Sequence, residues 1–230
     1  VDSGVQPLAK RIFEGLSPSY DRVLAAATLM QDAYWKSWLL DRAGIRRGDR
    51  VLDIGCGTGV LEERISGTTA EVIGVDITQE MVRLAQGKRI PSLGSLSLGD
   101  GEHLPFRDAS FDSVVSCYVV KYCNPQYLVL EIARVLRPGG TMVLYDFSRP
   151  RGPFAPIHAF YVYGALKLFG RVLRHLDPDA ALTYEALPEV IRTRIWDEHF
   201  DQTLESAGFS RVGSRRLTGG AVTGYWATKA

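Results

Sequence analysis

Cysteine, net charge and long apolar runs are all scarce in this chain, and each scarcity removes a class of function. The three cysteines, Cys56, Cys117 and Cys123, form no C-x-x-C pair and are odd in number. That pattern argues against a disulfide framework or a metal site and for a reducing compartment. A formal net charge of +1 gives no global basic field of the kind that binds nucleic acid. No stretch offers the roughly 20 continuous apolar residues that a membrane-spanning helix needs. The chain opens at Val1 with no basic-then-apolar leader, so the cytoplasm is the expected compartment. Neither an internal repeat nor a low-complexity tract is visible. What is present, 46% hydrophobic and 23% charged residues over 230 positions, suits one globular enzyme domain with a full core.

The densest chemical feature is Val51-Leu52-Asp53-Ile54-Gly55-Cys56-Gly57-Thr58-Gly59, an apolar strand that runs into a G-x-G-x-G turn behind an acid. Glycines belong where a strand reverses into a helix and a ligand must approach the backbone closely. The following helix then aims its free N–H groups at an anionic group. A dinucleotide turn wants G-x-G-x-x-G, and Val60 fills the third glycine position here, which disfavours NAD. A second strand, Glu71-Val72-Ile73-Gly74-Val75-Asp76, ends in an acid about twenty residues further on, where folds of this kind bond ribose hydroxyls. The competing structural readings are a tight turn that binds nothing, Asp53 and Asp76 as helix caps, and Met81 as plain core.

Short Val/Ile/Leu strands alternate with helical runs from Arg50 to Asp146, the pattern of a parallel sheet covered on both faces. Right-handed crossovers make it doubly wound. The expected organisation is one domain in four parts: a helical cap over residues 1–45, a cofactor-binding core over 46–148, a helical insertion over 149–195, and a C-terminal helix with a strand pair over 196–230. In the cap, Leu8, Ile12 and Leu16 recur at helical spacing, Ser17-Pro18-Ser19 forms a break, and Trp35, Trp38, Leu39 and Arg42 continue a later run. The closing strands, Arg211 to Leu217 and Ala221 to Thr228, turn at Gly219-Gly220.

The glycine turn and the Asp76 strand end resemble motif I and the following acid of class I S-adenosylmethionine-dependent methyltransferases. Leu98-Gly99-Asp100-Gly101-Glu102-His103-Leu104-Pro105-Phe106, Phe111-Asp112-Ser113-Val114-Val115-Ser116 and Arg134-Val135-Leu136-Arg137-Pro138-Gly139-Gly140 resemble the third-strand, fourth-strand and pre-fifth-strand segments of that family. The resemblance implies a Rossmann-like α/β fold with a mostly parallel seven-stranded sheet, S-adenosylmethionine as methyl donor and S-adenosylhomocysteine as product. It implies backbone approach at Gly55, Cys56 and Gly57, close helix packing at Gly59, and Asp53 at the cofactor's ammonium. Asp76 would take the ribose hydroxyls, Ile77 and Met81 would sandwich adenine, and Asp100 with the Gly101 amide would read its edge. Tyr20 and Ser116 complete the implied cofactor set, and no metal is implied.

Ala9-Lys10-Arg11-Ile12-Phe13, Ser19-Tyr20-Asp21-Arg22-Val23-Leu24 and Tyr34-Trp35-Lys36 resemble the N-terminal pattern of the ubiquinone/menaquinone biosynthesis C-methyltransferase family. Phe147-Ser148-Arg149-Pro150, Tyr184-Glu185-Ala186-Leu187-Pro188-Glu189-Val190-Ile191, Asp201-Gln202-Thr203-Leu204 and Leu217-Thr218-Gly219-Gly220-Ala221-Val222 extend the resemblance to the C-terminus. Members methylate a polyprenylated quinol ring, so a lipid-like aromatic acceptor is expected. One departure stands out: after the fourth strand the family shows G-L-R-N-V, and this chain has Val119-Val120-Lys121-Tyr122-Cys123. Lys keeps the charge without the planar fork. Lys121 and Tyr122 are therefore the candidate catalytic pair, with a solvated surface lysine as the alternative for Lys121. His158, Tyr161, Tyr163 and His199 are further acceptor-pocket candidates. The segment 149–175 is apolar and basic with no acid, broken by Pro156, Gly164 and Lys167, and suits either a pocket lid or peripheral contact with an anionic membrane. Two other readings are a soluble-acceptor N- or O-methyltransferase and a SAM-binding module without turnover. The sequence also allows a homodimer.

Overall fold

The computed structural model describes residues 10, 13–14 and 20–230, apart from residues 69, 89, 92 and 176 and the side chain of residue 179. The helix expected around Leu8, Ile12 and Leu16, with its break at Ser17-Pro18-Ser19, lies outside the described residues. The cap resolves into α1 (Tyr20–Ala27) and α2 (Asp32–Ala43). Between them the chain makes a turn that the sequence reading did not anticipate, with Leu29 and Met30 both left-handed at φ 49° and 64°. Gly44, also left-handed, closes α2 by donating its N–H to the Leu40 carbonyl.

The core then runs β1 (Arg50–Ile54), α3 (Val60–Ile65), β2 (Glu71–Asp76), α4 (Gln79–Gly87), β3 (Leu93–Leu98), β4 (Phe111–Cys117), α5 (Pro125–Val135) and β5 (Leu136–Phe147). After the insertion come α6 through α8, described below, then α9 (Phe200–Ser206), β6 (Phe209–Leu217) and β7 (Val222–Lys229). The seven strands form one sheet in the order β3-β2-β1-β4-β5-β7-β6. Strands β1 to β5 are parallel, and β7 slots antiparallel between β5 and β6. The doubly wound, mostly parallel sheet expected from the sequence is the one observed.

Alternation along each strand divides the core between two faces. Leu52, Ile54, Ile73, Val75 and Val114 pack with Leu128, Ile132 and Phe200 of the helices on one side. Val51, Val72, Val115 and Val143 pack with Trp35, Leu39, Leu61 and Ile65 on the other. Burial on both faces explains why β1, β2 and β4 read as nearly unbroken apolar runs. Asn124 starts α5 by accepting the Gln126 N–H at 3.0 Å, with Pro125 in the first turn where a missing N–H costs nothing. The Arg137–Gly140 stretch, expected as a turn before the fifth strand, is taken into β5 as an irregularity, with Gly139 at φ 78° and a register shift opposite Phe111 and Ser113.

The insertion is helical, as expected, and its helix continues through Pro156, Gly164 and Lys167, which interrupt the apolar run and not the backbone. Ala155–Ala159 (α6) passes through a π-helical stretch, Phe160–Ala165, into Leu166–Leu173 (α7), and Pro178–Thr193 (α8) packs back against α7. Pro156 sits in the first turn, where it is tolerated. The insertion rests on the N-terminal cap: the Tyr161 hydroxyl donates to the Ala27 carbonyl at 3.1 Å and the Tyr184 hydroxyl to the Val23 carbonyl at 3.0 Å. Val23, Ala27, Leu166, Ala180 and Tyr184 form a small core of their own there. Among the described residues, no helix is long and apolar enough to cross a membrane.

Candidate active site

The carboxyl ends of β1, β2, β3 and β4 open onto one cavity. Gly55, Gly57, Asp76, Ile77, Met81, Gly99, Asp100 and Gly101 form one wall. Phe13, Tyr20, Tyr118, Val119, Tyr122 and Cys123 form a second, mostly aromatic wall that meets the first where Val119 lies against Gly55. At the glycine turn a second compartment is lined by Asp53, Cys56, Thr58, Lys36 and Asp21, and shares Tyr20, Gly55, Gly57 and Tyr118 with the first.

The turn has the geometry its glycines are there to permit. Gly55, Gly57 and Gly59 all have positive φ, at 77°, 54° and 83°. A Cβ on Gly55 would lie 2.1 Å from Val119 Cγ2, so this position admits only glycine while Val119 keeps its place. Gly59 lines neither compartment; its Cα faces Ala85 of α4, where a Cβ would come within 3.2 Å. The Gly55 and Cys56 N–H groups donate to the Val75 carbonyl, which seats the turn on the end of β2. Thr58 donates to Asp21 at 2.7 Å and so joins the turn to the cap.

Asp76, 9% exposed, spends its carboxylate on two backbone donors, the Gly57 N–H at 2.9 Å and the Thr78 N–H at 2.8 Å. Burial raises its pKa, and those two hydrogen bonds oppose the rise. Asp100 accepts the Glu102 N–H at 2.9 Å, which orders the segment carrying Gly101. Asp53 is 2% exposed, and its Oδ1 has no hydrogen-bond partner. Burial and the neighbouring Glu62 carboxyl both hold its pKa well above the ordinary carboxylate value. Cys56 is buried, and burial likewise pushes its thiol up, so it is a packed side chain rather than a thiolate.

Three expectations need correction. Ser116 lines neither compartment: it is 3% exposed and donates to the Ile54 carbonyl at 2.7 Å, tying β4 to β1. Lys121 is neither solvated nor part of the cavity wall. Its side chain is 2% exposed and paired at 2.7 Å with Asp146, which is fully buried, and it also donates to the Tyr118 carbonyl at 2.6 Å. Burial drives the Lys121 pKa down and the Asp146 pKa up, and their mutual attraction opposes both shifts. Asp146 also accepts the backbone N–H groups of Lys121 and Phe147, so it pins the Val120–Tyr122 turn to the end of β5 and sets the position of Tyr122. The third correction concerns the insertion, because His158, Tyr161, Tyr163 and His199 all lie away from both compartments. Tyr161 fastens the insertion to α1, and His199 is an exposed left-handed residue ahead of α9.

The sequence reading did not single out Tyr118, Phe13 or Lys36. Tyr118 is a non-glycine residue at φ 65° directly after β4, its hydroxyl donating to Asp32 at 2.8 Å and its ring stacked on Phe147 at 5.0 Å. Strain of that kind gathers at functional sites. Its place just beyond a parallel strand's carboxyl end was the available signal. Phe13 meets Tyr122 edge-on at 5.5 Å and Tyr20 at 5.8 Å, closing the aromatic wall.

Comparison with known proteins agrees with this architecture. The ubiE/COQ5 methyltransferase family profile matches residues 3–229. The chain is 33% identical over 216 residues to the demethylmenaquinone methyltransferase of Tropheryma whipplei, covering 93% of this chain and 88% of that one. It is 33% identical over 217 residues to the ubiquinone/menaquinone biosynthesis C-methyltransferase UbiE of Chromobacterium violaceum, covering 92% and 87%. Among solved structures, a chain of the Haloferax volcanii complex of a methyltransferase with the Trm112 activator superposes with a TM-score of 0.67 at 19% identity, covering 94% of this chain and 96% of its own, a likeness of fold.

Proposed function

Because the chain belongs to the ubiE/COQ5 methyltransferase family, we propose that it is an S-adenosylmethionine-dependent enzyme that methylates a ring carbon of a reduced quinone bearing an isoprenoid tail. The observation that carries this reading is the pairing of walls in one cavity, strand-end acids and glycines facing a shell of aromatic side chains. The two relatives, a demethylmenaquinone methyltransferase and a ubiquinone/menaquinone biosynthesis C-methyltransferase, support a ring-carbon acceptor. The residues fit the cofactor. The orphaned Asp53 Oδ1 is a buried acceptor for an ammonium group, and Gly55 and Gly57 leave bare backbone facing the cavity. On this reading Asp76 takes the ribose, Ile77 and Met81 the faces of adenine, and Asp100 with Gly101 its edge, and the place of all five in the cavity lining supports it. When bound, S-adenosylmethionine supplies an electrophilic methyl group on a sulfonium.

The protein's part is to hold the acceptor in line with that methyl and to exclude water. Burial raises the pKa values of Tyr20, Tyr118 and Tyr122, so all three phenols stay protonated at neutral pH. They serve as hydrogen-bonding and packing groups rather than as bases. Ring activation comes from the acceptor's own hydroxyls, and the departing ring proton leaves through them or through water. Tyr122 touches the acceptor, and Lys121 acts through Asp146 by fixing the turn that carries Tyr122.

A prenylated acceptor resides in a bilayer, and the segment 149–175 is the surface assigned to meet it. Ile157, Phe160, Leu168 and Val172 are 67%, 76%, 61% and 60% exposed. Five basic residues and no acid lie within the segment, although Arg151 and Arg174 pair with Glu198 and Glu185. The left-handed Leu29 and Met30, 64% and 71% exposed, extend the apolar surface. They adjoin it because Gln31 bonds Thr218, and neighbouring Gly219 packs against Phe154. Apolar groups beside basic ones suit an anionic interface. Incubation with labelled S-adenosylmethionine and a panel of demethylated quinols, soluble amines and phenols tests the reading: product mass should rise by one methyl on a quinol, and methylation of the soluble compounds alone would reject it. Co-sedimentation with anionic vesicles should weaken with salt, and a protein left in the supernatant at low ionic strength removes the membrane assignment.

A further inference from the structure

Glu62 is the acid the mechanism above does not use. It lies in the first turn of α3, directly after the glycine turn, yet it is fully buried and neither carboxyl oxygen has a hydrogen-bond partner. Room for it exists because β2 carries Gly74 opposite, where a Cβ would meet Glu62 Oε1 at 2.6 Å. That glycine interrupts Val72-Ile73-Gly74-Val75, an otherwise continuous apolar run of a central strand, where glycine weakens the strand unless something approaches its backbone. The neighbouring acid is Asp53, also buried, with its own orphaned Oδ1 and a place in the lining of the compartment at the turn. Three unpartnered carboxyl oxygens thus gather under the loop that faces the cofactor cavity.

Two buried carboxylates without a cation between them cannot both be ionised at modest cost. The charged groups around them leave that conflict unresolved. Asp76 on β2 and Glu63 on α3 add negative charge near Glu62, and the Cys56 thiol is neutral. Lys88 opposes them, but its ammonium is drawn to Glu63 at 3.3 Å and Asp21 at 3.7 Å. Lys36, on the Asp53 side, is held by Asp32 at 2.6 Å. Burial, the largest influence, pushes the Glu62 carboxyl up to about 7.

We propose that Asp53 and Glu62 hold one proton between them in the ligand-free protein, and that the cationic methionyl end of S-adenosylmethionine expels it to solvent on binding. This rests on the cofactor reading given above. The ligand-free pair carries one negative charge. With the proton gone it carries two, facing the ammonium and sulfonium of the donor, so Glu62 is a positioning residue that strengthens Asp53 as an anionic partner. S-adenosylhomocysteine has lost the sulfonium charge and draws off less of the proton. The pair therefore favours donor over product at neutral pH.

Calorimetric titration of the intact protein with S-adenosylmethionine, repeated in buffers of low and high ionisation enthalpy, counts the protons released. The expected result near pH 6.5 is a release approaching one proton, less with S-adenosylhomocysteine, and a donor affinity that rises roughly tenfold between pH 6 and 8. Glu62→Gln should bind with neither the release nor the pH dependence. Binding heat that is identical in all buffers for the unmodified protein overturns the proposal without needing a variant. Equal release by Glu62→Gln overturns the assignment to Glu62. Absence of any binding heat would instead reject the cofactor reading, so the two failures are distinguishable.

Discussion

The two walls of the cavity are built by different means. On the cofactor side, Asp53, Asp76 and the segment bearing Asp100 each stand at the carboxyl end of a parallel strand, and the pairing of β1, β2 and β3 brings those ends side by side. Backbone N–H groups then fix the Asp76 and Asp100 carboxylates. On the acceptor side, aromatic rings from separate stretches, Phe13, Tyr20, Tyr118 and Tyr122, meet by packing, and the turn bearing Tyr122 is pinned by one buried ion pair. A wall made of strand ends tolerates little change in backbone and serves one ligand. A wall made of side chains on caps and turns can be re-cut for a new acceptor while the sheet stays as it is, and of the two residues that stand where the family pattern has Arg and Asn, Tyr122 lines that wall and Lys121 holds the turn behind it.

Removing the ion pair should break the comparison hardest. Asp146→Ala strands the buried Lys121 ammonium and should cost about 3–5 kcal/mol of stability, measured by denaturant unfolding. Replacing both partners by apolar residues of similar volume, Lys121→Met with Asp146→Leu, should recover part of that, the remainder reflecting the Lys121 and Phe147 N–H groups that lose their acceptor. Stability lost equally by both variants would mean that the pair is not the strut described here.

On the cofactor side the corresponding stress is Glu62. Its folded-state pKa of about 7 lies above the ordinary 4.5, so the folded chain holds a proton that the unfolded chain has released. The stability this group contributes is therefore full below about pH 4.5 and is lost as pH rises through 7. Glu62→Gln cannot lose that proton, so by pH 8 it should exceed the unmodified protein by on the order of 3 kcal/mol, with the gap closing toward pH 5 in thermal melts. A gap that does not change with pH contradicts the assignment.

Two smaller effects should separate the walls. Asp76→Ala should weaken cofactor binding by about 1–3 kcal/mol, because the ribose loses a charged acceptor and the Gly57 and Thr78 N–H groups lose theirs. Tyr122→Phe should leave cofactor affinity unchanged and lower kcat/KM for the acceptor by about fivefold, the worth of one hydrogen bond of about 1 kcal/mol. If Tyr122→Phe weakens the cofactor instead, the division between walls is drawn in the wrong place.

The same division explains what could be read from the chain. Gly55, Gly57, Asp76, Ile77, Met81, Asp100 and Gly101 line the cavity because each is defined by its distance from a strand end, which sequence spacing records. Tyr161, Tyr163, His158 and His199 line neither compartment, and helical spacing tells which residues share a face, not what that face meets. Ser116 lies two residues before Tyr118, and alternation within β4 turns its hydroxyl into the sheet interior while the chain reverses at Tyr118. Lys121 reads from the chain as a catalytic candidate, or as a surface residue because lysine usually is one, and neither reading reveals its burial. Its partner Asp146 is 25 residues away, and only the pairing of β4 with β5 brings it near. Glu62 sits in a Leu-Glu-Glu-Arg stretch that looks solvated, and only the register of β1 against β2 places Gly74 beneath it.

The account rests on methyl transfer to a ring carbon at the aromatic wall. The most direct measurement is carbon NMR of the product formed in a single turnover from S-adenosylmethionine labelled with ¹³C at its methyl group and a prenylated demethylated quinol. The account predicts one labelled methyl bound to a ring carbon, formed at a reduced rate by Tyr122→Phe. A label found on oxygen or nitrogen, or on no quinol at all while a soluble amine or phenol is methylated, would contradict it.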